Sequence, residues 1–241
     1  MNGTAPRWRR QRPLEVALAV LFSVAVVAAL VRAAALATRL DAIDDFSAQF
    51  VRHARDADAF VAVADVVVLL VTLALVPCFI VWCWRAAKNQ QALGRQPERL
   101  GSGWAVGGWF IPLANLVIPV LVIQDLWRGS DVAIARGDPR WRIADRSWLV
   151  GWWWGLFVVA LLTFPGSPAD QRNVEHDAVQ GANLVALLGM VGAATSAVLA
   201  ILVVRRLGAR QEACRSAQDG LGSSAASSRA AASAYRRIPD E

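Results

Sequence analysis

Charge is scarce in this chain. Only 18% of its 241 residues are charged, where a soluble domain carries roughly 25%. Cysteine is scarcer still: Cys78, Cys83 and Cys214 form no C-x-x-C pair and no Cys/His zinc spacing, which excludes a disulfide framework and a structural zinc site. Histidine occurs twice, as His53 and His176, and both fall in polar stretches where solvation is the plain reading and a metal site the sharper one. There is no H-E-x-x-H, no G-x-S-x-G and no phosphate-binding Walker loop. Gly101-Ser102-Gly103 offers a serine, but no histidine in the apolar runs is there to activate it. Catalytic residues, metal ligands and cofactor-binding residues are therefore assigned to none, and the chain is not expected to be an enzyme.

What is there instead is apolar residue in long blocks. Hydrophobic residues make up 56% of the chain and the mean hydropathy is +0.40. Basic residues exceed acidic ones, 25 to 19, giving a net charge of +6. In a soluble protein this would point to nucleic acid. Here the better reading is arginine gathered on the cytoplasmic side of a membrane protein, so no nucleic acid is expected.

Five runs stand out. The first, about 14–34, follows a head (1–13) that holds Arg7, Arg9, Arg10 and Arg12. It is longer than the 7–15 residues usual for a signal-peptide core and is read as a retained span, despite a weak A-x-A site at Ala35–Ala37. The second (60–84), fourth (148–164) and fifth (182–204) are also read as spans. The third (104–123) differs, because Pro112 and Pro119 each remove a backbone donor and disturb the preceding turn. The carbonyls so freed need a partner at membrane depth, which Asn115 could supply. From 205 to 241 the composition turns to Ser, Ala, Gly and Arg and predicts a basic, disordered tail.

The distribution of Lys and Arg tests the number of spans. There are 4 in 1–13, 4 in 32–58, 4 in 85–103, 5 in 125–147, 1 in 165–181 and 7 in 205–241. Five spans with the N-terminus inside would leave 9 inside and 16 outside. If the third run enters and leaves by one face, 20 lie inside and 5 outside, which satisfies the positive-inside rule. The predicted fold is an all-α integral membrane protein with four transmembrane helices and a Pro/Asn-containing re-entrant or kinked fifth segment. Head and tail are then cytoplasmic. Trp82, Trp84, Trp104, Trp109, Trp127, Trp141, Trp148 and Trp152–Trp154 gather on that same side, while 35–58 and 165–181 contain none.

The motifs between the second and fourth runs form an ordered set: Trp82-x-x-Arg85-x-x-x-Asn89, then Trp104, then Trp109-Phe110-Ile111-Pro112-x-x-Asn115-Leu116-x-x-Pro119. Asp125-x-Trp127-Arg128-x-Ser130 and Trp152-Trp153-Trp154 follow. Over about residues 60–205 this order resembles the bacterial membrane family called domain of unknown function 4328, common in actinobacteria. The resemblance implies a multi-pass inner-membrane protein and brings no activity with it.

Candidate functional groups are the polar ones that hydrocarbon makes costly. Asp65 is the acid lying well inside a run, about six residues into the second. Arg85 and Asp125 are expected to pair and brace the third run onto the second span, with Asn89, Asn115 and Arg128 nearby. On the fifth span Gly189, Ala193 and Ala197, and Gly192, Ser196 and Ala200, recur every four residues, a spacing that suits close helix packing or a homo-oligomer. Two functions follow. One is a non-enzymatic assembly protein of the cell membrane that binds anionic lipid headgroups or another membrane protein. The other is an oligomeric small channel or transporter using the Pro-Asn-Pro segment and Asp65.

Overall fold

The computed structural model describes residues 7–44, 50–95, 100–163 and 176–235, with backbone only at 36, 38–44, 50–58, 176–180, 182, 183 and 229–235. The order is α1 (Arg12–Asp44), α2 (Phe50–Ala92), α3 (Trp104–Gly107), a 3-10 turn at Ala114–Leu116, α4 (Ile118–Gly129), a second 3-10 turn at Pro139–Ile143, α5 (Trp148–Leu162) and α6 (His176–Tyr235). No strand occurs among the described residues.

Three helical stretches are long and apolar enough to cross a membrane: Arg12–Ala35, Ala59–Ala92 and Leu184–Ser228. The fourth expected span is a shorter apolar helix among the described residues. α5 has 15 residues, about 22 Å at 1.5 Å per residue, against roughly 30 Å of hydrocarbon. Ser147 caps its start by accepting a hydrogen bond from the Val150 amide, 3.4 Å.

Helix extends well past the apolar runs. Residues 35–58, expected as a mixed-charge loop, belong to α1 up to Asp44 and to α2 from Phe50. These helical ends contain no Gly or Pro, the residues that most disfavour a helix. The tail expected to be disordered from 205 is helical to Tyr235. Its first half is folded into the body: Leu207, Gln211 and Cys214 are all buried. The composition of 205–241 suits the exposed stretch 219–228 and not this docked first half.

α1 packs against both α2 and α6, and α5 packs against α6. Contacts fix antiparallel directions. Gln11 meets Gln211 at one end of α1, and Ala33 clusters with Ala186 and Met190 at the other. Phe22 meets Phe79, and Arg32 meets Asp65. The outer faces carry Val16, Val20, Val24 and Val27 on α1, and Val63, Val66, Leu70 and Leu73 on α2, all exposed. An apolar exterior of this extent matches a hydrocarbon solvent. The main core lies toward the head-and-tail end, around Phe79, Trp82, Cys83, Trp153, Trp154, Val203 and Leu207.

Candidate functional site

The third hydrophobic run is a hairpin, not one helix. Gly108 ends α3 so close to α4 that an added Cβ would lie 2.5 Å from Ile118 Cγ2 and 2.9 Å from the Trp104 carbonyl. Pro112 sits in the turn and Pro119 in the first turn of α4, where a proline's missing N–H costs nothing. Between them Leu113 has φ +64°, and the Ala114 amide donates to the Pro112 carbonyl at 2.8 Å. That is a γ-turn with a non-glycine residue at positive φ, a conformation that costs about 1–3 kcal/mol. The tip is apolar and bare, with Phe110 72% and Leu113 81% exposed.

Both arms of the hairpin reach the same residue of α5. Trp109 packs edge-on to Trp154, 6.0 Å between centroids, and Trp154 Nε1 donates to the Leu116 carbonyl at 2.9 Å. The carbonyl left over by the break is satisfied from α5, and the Asn115 Oδ1 is itself buried with no hydrogen-bond partner. Phe79 is the hub of the aromatic cluster, with Trp82, Trp109 and Trp153 all 5.4–5.7 Å away. Trp82 is fully buried.

The base of the hairpin is tied down by amides. Gln90 Nε2 donates to the Asp125 carbonyl at 3.0 Å. Gln124 grips the start of α5 twice, donating to the Ser147 carbonyl at 2.8 Å and accepting from its amide at 2.9 Å. Asn89 holds the head in the same two-handed way, through the Arg9 amide (2.7 Å) and carbonyl (2.8 Å). Gln11 donates to Gln211, which donates to the Ala86 carbonyl at 3.1 Å. A primary amide offers both a donor and an acceptor, so each residue can satisfy a backbone peptide unit without burying a charge.

Arg95 is the residue sequence reasoning missed. It is 1% exposed, just past the Gly94 turn (φ +76°) that ends α2. Its guanidinium donates to four carbonyls of the loop after α4: Gly129 (2.9 Å), Asp131 (3.0 Å), Ile134 (2.6 Å) and Ala135 (2.5 Å). In the sequence it is one more arginine on a basic flank, with nothing to mark it as buried. The tail closes over this loop. Arg210 lies 3.9 Å from Asp131 and stacks on Trp127 at 4.8 Å, and Gln218 reaches the Leu93 carbonyl at 3.3 Å. Farther along the loop, hydrogen bonds from Arg140 hold the Asp138 carboxyl below its ordinary range.

The other expected residues are placed as follows. Asp125 pairs with Arg128, 3.8 Å away on the same helix, while the Nε of Arg85 is buried and has no hydrogen-bond partner. Asp65 meets the Arg32 guanidinium, which is 3% exposed. Arg32 was counted with the polar stretch after the first run, yet it lies within α1. On α6, Gly189 faces α5, where an added Cβ would meet Thr163 Oγ1 at 2.5 Å, and buried Ser196 donates to the Trp153 carbonyl at 3.3 Å. Ala193 and Ala197 are half-buried, and Gly192 has open space beside it. The side chains of His53 and His176 lie outside the described residues. Among the described residues no three His, Cys, Asp or Glu side chains are grouped to hold a metal.

These elements define a helical membrane protein with an aromatic-lined hairpin folded into one end of its bundle. The chain belongs to the family described as "Domain of unknown function (DUF4328)", whose model matches residues 47–209. No curated protein and no solved structure matches it.

Proposed function

We propose that this chain is a multi-pass protein of the bacterial cell membrane, with head and tail in the cytoplasm, that binds a partner membrane protein or anionic lipid and catalyses no reaction. The observation that carries this reading is the double contact of Trp154 with both arms of the hairpin, at Trp109 and at Leu116. A segment that reaches one depth twice and is tied at its base to Ser147 and Gln90 enters and leaves by the same face. A re-entrant hairpin leaves 20 of 25 basic residues on the cytoplasmic side. It also lays the loop 131–147, with exposed Val132, Ile143, Arg146 and Trp148, along that interface. Basic residues at such a surface each add about 1 kcal/mol of attraction for anionic lipid.

The test is the sidedness of that loop. With the three native cysteines replaced, Ala133→Cys provides an exposed reporter, and a membrane-impermeant maleimide should label it only after cell lysis. Ser167→Cys, between α5 and α6, should label in intact cells. Labelling of Ala133→Cys in intact cells would overturn the topology. Purification in mild detergent with neither protein nor lipid retained would overturn the binding reading.

The orphaned Asn115 Oδ1 beside a strained turn favours a second reading, an oligomeric channel or transporter. On that reading Asn115→Leu abolishes flux in reconstituted vesicles while expression is unchanged.

A further inference from the structure

Where the head crosses α6 the structure forms an open cavity of about 430 Å³, with Arg10, Arg12, Arg205 and Glu212 exposed at it. Arg10, Arg12 and Arg205 line it, together with Glu15 and Glu212. Arg12 opens the first apolar stretch and Arg205 follows the last, so the cavity sits at the level where both helices pass from hydrocarbon to water. Val16, one turn deeper on α1, lines the same cavity and is exposed, so the opening continues onto an apolar face.

The polar groups of the lining divide into those already used and those still available. Asn89 is spent on Arg9, and Gln11 and Gln211 are linked to each other. Among the described residues, Arg10, Arg12 and Arg205 have neither an ion pair nor a side-chain hydrogen bond. Trp8 Nε1, another donor of the lining, is buried without an acceptor. Two carboxylates stand among these donors. Glu15 lies in the notch left by Gly208, where an added Cβ would fall 2.0 Å from Glu15 Oε1. The Arg12 charge attracts it and, more weakly, the Glu212 charge repels it. A cavity whose lining combines three guanidinium groups with two carboxylates complements a ligand that carries both a phosphate and a cation.

We propose that this cavity binds the phosphoethanolamine group, its phosphate held by Arg10, Arg12 and Arg205 and its primary ammonium by Glu15 and Glu212. A phospholipid bearing that headgroup would lay its acyl chains along Val16 and Val20, both exposed on α1. The guanidinium groups suit phosphate because their N–H donors match its oxygens in pairs. The carboxylates select ammonium over trimethylammonium because only the former donates hydrogen bonds. This inference rests on the reading of the head-and-tail end as a bilayer interface and assigns a zwitterionic headgroup to this cavity, apart from the anionic lipid that the loop 131–147 meets. It does not depend on a protein partner.

The experiment is native mass spectrometry of the full chain in mild detergent with added phosphatidylethanolamine, phosphatidylcholine or phosphatidylglycerol. Phosphatidylethanolamine should be retained about tenfold better than phosphatidylcholine, the discrimination expected from one charge-assisted hydrogen bond. E15Q/E212Q should erase that preference and raise retention of phosphatidylglycerol. R10Q/R12Q/R205Q should lose phosphatidylethanolamine. Each variant must keep the wild-type melting temperature. Gly208→Ala, which displaces the Glu15 carboxylate and changes no charge, should reduce the preference in the same direction as E15Q/E212Q. Displacement of the lipid by soluble phosphoethanolamine at millimolar concentration would identify a free small molecule as the source of the headgroup, and failure to displace would identify the bilayer. Equal retention of phosphatidylethanolamine and phosphatidylcholine overturns the proposal, as does undiminished retention by the arginine variant. Neither result bears on the sidedness of Ala133→Cys, so the two readings fail separately.

Discussion

Replacing Asp65 with asparagine strips the Arg32 guanidinium of the carboxylate it meets across α1 and α2. Arg32 is 3% exposed and Asp65 37% exposed, so the two partners differ in what they lose. The carboxylate can still turn toward polar surroundings, but the guanidinium is enclosed. Removing one partner of a buried pair costs about 3–5 kcal/mol, because the other charge loses its counter-charge. The partial exposure of Asp65, and the further interaction that Arg32 keeps, put the expectation at the low end, about 3 kcal/mol. For a domain of this size that is a fall of roughly 6–12 °C in melting temperature. Replacing both partners with apolar residues, as R32M/D65L, removes the charge together with its counter-charge and should recover most of the loss. The molecule supplies its own reporters. Cys83 and Cys214 are buried, so a thiol-reactive fluorophore reads unfolding directly once half-buried Cys78 is changed to alanine. The reasoning is refuted if D65N melts within a degree of wild type, or if R32M/D65L is no more stable than D65N.

Three further outcomes follow from the hairpin. Arg95→Lys keeps the charge but cannot reach four carbonyls at once, so the 129–135 loop should loosen by about 2–3 kcal/mol. Limited trypsinolysis at exposed Arg136, Arg140 and Arg146 should then speed up by at least tenfold. Trp154→Phe leaves the Leu116 carbonyl without its donor at a cost of about 1–3 kcal/mol, visible as faster amide exchange across 110–117 with little change in α1 or α6. Gly108→Val places side-chain atoms inside the van der Waals envelope of Ile118 and the Trp104 carbonyl and should abolish accumulation of folded protein, whereas Gly107→Ala, with open space around it, should be silent.

The extent to which the fold was legible in the sequence follows from the range of each interaction. The apolar runs 14–34, 60–84 and 182–204 are readable because hydropathy is a local sum, and each lies on a helix of membrane length. The family was readable because its tryptophans, prolines and asparagines keep their order over much of the chain. The break between Pro112 and Pro119 was readable too, since proline acts on its own turn. What failed was whatever depends on a distant partner. Arg32 reads as the start of a polar loop until Asp65, 33 positions later, is brought beside it. Arg95 reads as a surface anchor until the loop after α4 folds around it. The helical ends of 35–58 were misread for a different reason: mixed charge suggested a loop, but the absence of Gly and Pro outweighed it.

The two ends of the bundle are held by different kinds of force, and this bears on function. At the head-and-tail end, Asn89, Gln90, Arg95 and Gln124 clamp backbone groups of the head, of α4 and of the loop after it, while Gln211 and Gln218 of α6 hold the Ala86 and Leu93 carbonyls at the end of α2. Each clamp has a fixed length and direction, so that end tolerates little relative movement. Beyond Phe79 the described helices are joined mainly by apolar packing of small residues around Ala33, Ala186 and Met190, with the Arg32–Asp65 pair as the polar tie. In hydrocarbon such packing has no hydrophobic drive behind it, because lipid tails compete for the same surfaces. Movement of the helices is therefore limited at the Asn89 end by many directional clamps, and at the other end between α1 and α2 by the Arg32–Asp65 pair. A surface that must present one constant shape to a headgroup or a partner belongs at the clamped end, where Arg10, Arg12, Arg205 and the loop 131–147 are found.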